Sequence, residues 1–325
     1  MKRSSSLAVE QRLETLGRLG DEPDRVVRSS RLAQALADRS FRVVAQAAEL
    51  CEEFSLKERV PDLVAAFARF LEDPVKRDPK CIAKQAIARA LVSLECNDVE
   101  FFLTGLRYRQ PEPVWGGSAD AAVEVRCSCA MGLVATGYWR ALIAVAELLA
   151  DPEFRAREGA ARAIACGNPQ AAEALLRFKV LSGDPEPEVI GECLNGLLSV
   201  APEESLEFVA ARLDDRNDAI RDLAALALGQ SRHPGAVPHL RAAWERVLVS
   251  KEFRDVLIRA AAVHRSEAAF DWLISIIESG ADSHAATAVD ALSVYERNAK
   301  LAERVKAALR ARQQASLPSA GLPPG

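Results

Sequence analysis

The sequence predicts an all-α protein built as an α-solenoid, and three observations carry that prediction. Ala, Leu, Arg and Glu, all good helix formers, dominate the 325 residues, whereas Gly (17), Pro (16) and aromatic residues (6%) are sparse. Runs of alternating Val, Ile or Thr, the mark of half-buried strands, are almost absent. A segment opening on an aspartate recurs six times, at Asp38, Asp78, Asp120, Asp151, Asp184 and Asp215, at intervals of 31 to 42 residues.

Five residues on from each anchor stand Val43, Ala83, Val125, Ala156, Val189 and Ile220. Nine on are Ala47, Ile87, Cys129, Ala160, Cys193 and Ala224, and ten on are Ala48, Ala88, Ala130, Ala161, Leu194 and Ala225. Thirteen on are Cys51, Leu91, Leu133, Ile164, Leu197 and Leu228. At about 100° per residue these offsets share one face, so each segment is an amphipathic helix with small residues where a neighbour comes close. One such unit cannot bury its face alone, so the units must stack.

In chain order, residues 1–36 read as N-terminal capping helices and 37–298 as the repeat array, without an internal domain boundary. Between the anchored helices lie partners with their own apolar spacing, such as Leu63, Val64, Phe67, Phe70 and Leu71, or Leu142, Val145, Leu148 and Leu149. The stretch 110–118 (Gln-Pro-Glu-Pro-Val-Trp-Gly-Gly-Ser) reads as an irregular expanded loop before Asp120. Two further pairs, 237–262 and 270–294, have lost their anchors. Residues 299–314 form a C-terminal capping helix, and 315–325, rich in Pro and Gly, a disordered tail.

The stretch Asp215 … Ile220-Arg221-Asp222-Leu223-Ala224-Ala225-Leu226-Ala227-Leu228-Gly229 resembles the second helix of a HEAT repeat, of the short, bacterial-type form named after phycobilisome lyases. Asp151 … Ala156-Arg157 … Ala160-Ala161 … Ile164 and Asp120 … Val125-Arg126 … Cys129-Ala130 … Leu133 are similar. The resemblance covers residues 25–295 and implies a right-handed superhelix of about eight HEAT-like helix pairs, the second helices lining a concave surface. It also implies a ladder between units, made by the turn aspartate and a basic residue, here Lys84, Arg126, Arg157 and Arg221. Val44 and Ile190 depart from that pattern, so gaps are expected at the units of Asp38 and Asp184.

Composition and motifs exclude several kinds of function. A balance of 42 Lys+Arg against 46 Asp+Glu gives −4, with no run of apolar residues long enough to span a membrane and no apolar signal region, so a cytoplasmic protein is expected. Seven Cys in a chain of this size do not suggest a disulfide framework. Cys127 and Cys129 point about 200° apart on a helix, so they do not make a metal pair. His233, His239, His264 and His284 lack the paired His-Glu motif of the iron-binding hydroxylases that are built on HEAT repeats. Neither a phosphate loop nor a nucleophile elbow is present, so no metal, cofactor or catalytic residue is assigned. Residues 183–218 hold ten Asp/Glu against two Arg, which argues against nucleic acid. The six Lys/Arg between 297 and 312, in and just before the last helix, are explained by its C-terminal dipole and its exposed, capping position.

The functional expectation is therefore a non-catalytic scaffold that binds a protein partner on its concave face. The alternative is a bilin lyase subunit or another enzyme-associated HEAT protein. Offsets 4, 7 and 11 oppose the buried face and give the candidate contact residues Gln85, Arg89, Met131, Glu158, Arg162, Glu188, Asn195 and Asp222. A basic part of the partner would lie toward 183–222. Trp115 joins them as a hot-spot type of residue beside the expanded loop, although plugging the core beneath that loop is its favoured reading. Trp139 is likewise expected in the core, as are Trp244 and Trp272.

Overall fold

The computed structural model describes residues 2–246 and 250–315, so the expected tail lies, apart from Ala315, outside the described residues. The chain divides into two compact units, residues 1–175 and 176–325. The first contains α1 (Lys2–Gly17), α2 (Arg25–Leu36), α3 (Phe41–Glu53), α4 (Val60–Phe70), the single turn α5 (Pro74–Arg77), α6 (Ile82–Ser93) and α7 (Val99–Arg107). A hairpin of β1 (Pro111–Val114) and β2 (Gly117–Asp120) follows, then α8 (Val123–Ala135), α9 (Ala141–Leu148) and α10 (Phe154–Ala165). Helix α11 (Pro169–Ser182) contains the boundary. The second unit continues with α12 (Pro187–Val200), α13 (Pro202–Ala210), α14 (Asp218–Ser231), α15 (Ala236–Trp244), α16 (Lys251–His264), α17 (Glu267–Ser279), α18 (Asp282–Ser293) and α19 (Ala299–Ala315).

Each unit is a solenoid segment of sequential helix pairs. In the first, α4/α6, α7/α8 and α9/α10 pair, and the second helices α3, α6, α8 and α10 pack side by side in that order. In the second, α13/α14, α15/α16 and α17/α18 pair, and α12, α14, α16 and α18 form the corresponding row. Local chemistry sets the helix starts. Asp24 accepts the amides of Val26 and Val27 to cap α2, and Asn217, Ser250 and Ser266 cap α14, α16 and α17. Proline stands in the first turn of α4, α12 and α13, where its missing N–H costs nothing.

The anchor aspartates act on their own turns before they act on neighbours. The carboxylates of Asp38, Asp120, Asp151, Asp184 and Asp215 each accept the amide two residues on, those of Ser40, Ala122, Glu153, Glu186 and Asn217. Asp78 accepts from Ala83 and Lys84 instead, because Lys80 and Cys81 adopt positive φ and insert a tight turn before α6.

The repeat positions at offsets 5, 9, 10 and 13 are buried, with Ile220 as the exception. Ile220 is half-buried in the first turn of α14, which borders an open groove lined by Asp215, Asp218, Arg221 and Phe253. The alanines and thiols at offset 9 let second helices approach each other. Burial pushes the Cys51 and Cys193 thiols up to about 12, as expected of packed rather than reactive sulfur.

Two expectations need correction. Residues 110–118 are not an irregular loop: Pro111–Val114 pairs antiparallel with Gly117–Asp120, Val114 facing Gly117 across the turn Trp115-Gly116. Trp115 and Trp139 are not core residues, at 103% and 81% exposed, while Trp272 is buried and meets the half-buried Trp244 edge to face at 6.0 Å.

Candidate functional site

In the first unit the basic residues near the starts of α6, α8 and α10 meet the aspartate turns in a dry setting. Lys84 Nζ lies 2.9 Å from Asp78, both side chains fully buried, and also donates to the Phe70 carbonyl at 3.3 Å. Arg126, equally buried, donates to Asp120 at 2.6 Å and to Asp151 of the next turn at 3.3 Å. Arg109 closes a quartet by reaching the same Asp151 at 2.8 Å. Arg157 donates to the backbone of the Asp151 turn, at the carbonyls of Asp151 and Pro152.

Arg221 departs from the expected ladder. It pairs with Asp218 in its own first turn at 3.0 Å, and its guanidinium lies 4.5 Å from the centre of the Phe253 ring. The gaps expected at Asp38 and Asp184 are filled from first-layer helices. Arg12 of α1 reaches Asp38 at 2.6 Å, and Lys179 of α11 reaches Asp184 at 2.8 Å.

The hairpin is rooted in this charged spine. Gln110, buried, donates from Nε2 to the Asp78 carbonyl (3.0 Å) and to Glu112 (2.7 Å), and its Oε1 accepts the Tyr108 hydroxyl at 2.6 Å. Glu112 also accepts the Lys80 amide at 2.5 Å, and Asp120 accepts the Gln110 amide at 2.9 Å. A network in which each polar group is paired holds its members rigid. The ribbon above it runs out into solvent: Val114 is 50% exposed and Trp115 wholly so. Gly116, at φ +87°, supplies the left-handed turn residue. Pro111 and Pro113 alternate on β1. In the observed register their missing N–H groups fall on the outer edge of that strand, which blocks pairing there and leaves β2 as the open edge.

The residues expected to contact a partner fall into three places. On the second-helix row of the first unit stand Gln85, Arg89, Met131, Glu158 and Arg162, carried by the successive helices α6, α8 and α10. Arg89 is exposed but bridges to Glu49 and Glu52 of α3 at 3.2 Å each. Gln85 is half-buried and donates to the Lys80 and Ala121 carbonyls, which staples α6 to the next turn. Met131 and Glu158 are half-buried, and Arg162 is exposed. In the second unit Glu188 and Asn195 lie on α12 and Asp222 on its neighbour α14, with burial pushing the Asp222 carboxyl up. Trp115 is carried by none of these helices and stands at the hairpin tip. The hairpin root, Gln110 and Glu112, is absent from the residues the sequence singles out; the Gly116-Gly117 pair is the turn signal that marks it, whereas Pro111 and Pro113 argue against a strand.

Asp120 makes the root sensitive to acid. Burial by itself would raise its carboxyl, but the Gln110 and Ala122 amides and the Arg126 guanidinium more than offset this and hold it below the usual carboxylate range. A carboxylate lowered in the folded state contributes stability above its ordinary value and loses it as pH falls through the lowered one. Asp120→Asn is therefore expected to melt below the wild type at neutral pH, with the gap closing on acidification. Melting curves across that range check this, and a gap independent of pH would contradict it.

Comparison with known proteins gives the family context. The family described as HEAT repeats matches residues 176–247. Among solved structures, the complex of CpcE and CpcF of phycocyanin lyase from Nostoc sp. PCC7120 aligns at 18% identity and a TM-score of 0.35, over 71% of this chain and 89% of that one. Human deoxyhypusine hydroxylase in complex with glycerol aligns at 18% identity and a TM-score of 0.32, over 83% of this chain and 96% of that one. A search of curated proteins gave no match.

Proposed function

Because the chain is a HEAT-repeat protein, we propose that it works as a non-catalytic, cytoplasmic scaffold for a protein partner. The observation that carries this reading is the hairpin, where a fully exposed tryptophan sits on a ribbon whose root is locked by buried hydrogen bonds. A large rigid aromatic contributes contact area at little cost in conformational entropy, and such residues dominate binding energy at interfaces. Leaving one in water confers no stability on the fold. The exposed second-helix faces supply the polar surroundings, and the acidic run that includes the exposed Glu186, Glu188, Glu203 and Glu204 suits a basic segment of the partner. Among the described residues no helix is long and apolar enough to cross a membrane.

Trp115→Ala should leave the melting temperature unchanged, since the indole touches little of its own chain. It should weaken partner capture by roughly thirtyfold, the loss typical of a hot-spot aromatic. Quantitative affinity capture from the native extract, wild type beside variant, measures this. Equal recovery of every co-purifying protein would remove the hairpin from the interface. If the charge-reversed pair Glu158→Lys/Glu188→Lys then lost the partner at low salt, the contact would lie on the helical faces instead.

A further inference from the structure

A second feature of the first unit is independent of the hairpin. Between the turn after α2 and the end of α4 lies a cleft of about 570 Å³, lined by Ala37, Asp38, Arg39, Arg69, Phe70 and Arg77. Three of the six side chains are guanidinium groups. The one carboxylate among them is already satisfied, since Asp38 takes Arg12 at 2.6 Å on one oxygen and the Ser40 amide at 2.8 Å on the other.

The three arginines differ in how they are held. Arg69 is half-buried, and its Nη2 donates to two backbone carbonyls, Leu36 at 2.7 Å and Asp38 at 3.2 Å. Those bonds fix the plane of the guanidinium but do not neutralise it, and Nε and Nη1 remain for another acceptor. Arg77 donates from Nη1 to Glu72 at 2.9 Å and to the Arg69 carbonyl at 3.3 Å, which ties it to the same strand of backbone. Arg39, on the opposite lip, is exposed and has no hydrogen-bond or ion-pair partner among the described residues. Two cations without carboxylate partners, one of them clamped in place, thus share a recess with an aromatic ring.

We propose that this cleft binds a phosphate monoester, with Arg69 as the fixed fork, Arg39 and Arg77 as the closing arms, and Ala37 and Phe70 as the apolar wall for the group that carries the phosphate. Planar guanidinium groups match tetrahedral oxyanions through paired, charge-assisted hydrogen bonds. A clamped arginine loses little side-chain freedom on binding, which favours a site over a merely positive surface. A monocarboxylate offers fewer acceptor oxygens and half the charge, so it should bind more weakly in the same place.

Titration of the full chain with inorganic phosphate, phosphoserine, a phosphoserine-containing peptide and a nucleoside monophosphate, followed by 31P NMR and by thermal shift, tests the proposal. Phosphate and its monoesters are expected to bind and to raise the melting temperature. The double variant Arg39→Ala/Arg77→Ala should lose roughly tenfold or more in affinity, as the removal of charge-assisted bonds predicts. These two arginines hold up little else, so the variant should remain folded; Arg69→Lys, which keeps the charge but loses the fork, should weaken binding as well. Arg259→Ala, an exposed position on α16 outside every site described above, should bind as the wild type does. Tighter binding of the peptide than of free phosphoserine would identify the source as a modified protein, and the reverse order would identify a small metabolite; both support the site. Absence of phosphate binding at millimolar concentration, or binding unchanged in the double variant, would overturn it.

Discussion

Asp78→Ala is expected to cost roughly 3–5 kcal/mol, among the largest losses available to a single substitution in the first unit. The residue serves three partners at once. Its carboxylate neutralises Lys84 at 2.9 Å, and the same group accepts the amides of Ala83 and Lys84 at the start of α6. Its carbonyl accepts Gln110 at 3.0 Å and so holds the hairpin root. Removing the carboxylate strands an ammonium that is wholly out of solvent, between the rings of Phe70 (5.9 Å) and Tyr108 (5.6 Å). Cation–π attraction of that kind amounts to about 2 kcal/mol at best, too little to replace an ion pair and two amide bonds. Urea unfolding followed by helical circular dichroism measures the loss. Combining Asp78→Asn with Lys84→Met should recover much of it, because a buried pair replaced as a pair leaves no bare charge.

Gly229→Val should come close to it, at roughly 3 kcal/mol, through the backbone rather than through charge. The row of second helices in the second unit depends on α14 and α16 lying in close contact. At position 229 an added Cβ would stand 2.3 Å from the Ala260 carbonyl oxygen and 3.0 Å from its Cα. A flexible side chain could turn away from such an intrusion, but a helix backbone cannot. The two helices must separate, and with them the small-residue seam at Ala224 and Ala261, both buried. Gly20→Ala, where nothing lies within 4 Å of the new methyl, is the control and should melt within error of the wild type. Equal melting of the two variants would show that the seam can open at little cost.

The helical rows were legible because each unit writes its buried face locally, in offsets of 5, 9, 10 and 13 from one aspartate. The ladder was legible where the cation sits on the same helix as that face, as with Lys84 and Arg126. It was not legible at Asp38 and Asp184, whose cations, Arg12 and Lys179, come from helices outside the repeat pattern. Arg221 carried the right letter in the right place, yet the Phe253 ring and Asp218 were nearer partners. The hairpin escaped because two prolines in four residues argue against a strand unless both fall on an outer edge, a matter of register that composition does not reveal. The arginine cleft escaped for a related reason. Arg39, Arg69 and Arg77 share no period, and only the packing of successive turns brings them together.

If the anchored hairpin meets a protein, a photo-cross-linking amino acid in place of Trp115 should capture that protein. The side chain is free of its own chain, so the substitution should leave the fold intact. Irradiation in the native extract should give one discrete protein adduct. The same probe at Val294, a 78% exposed residue of the second unit, should give none. A diffuse set of adducts at 115, no different from the set at 294, would contradict a protein contact at the hairpin.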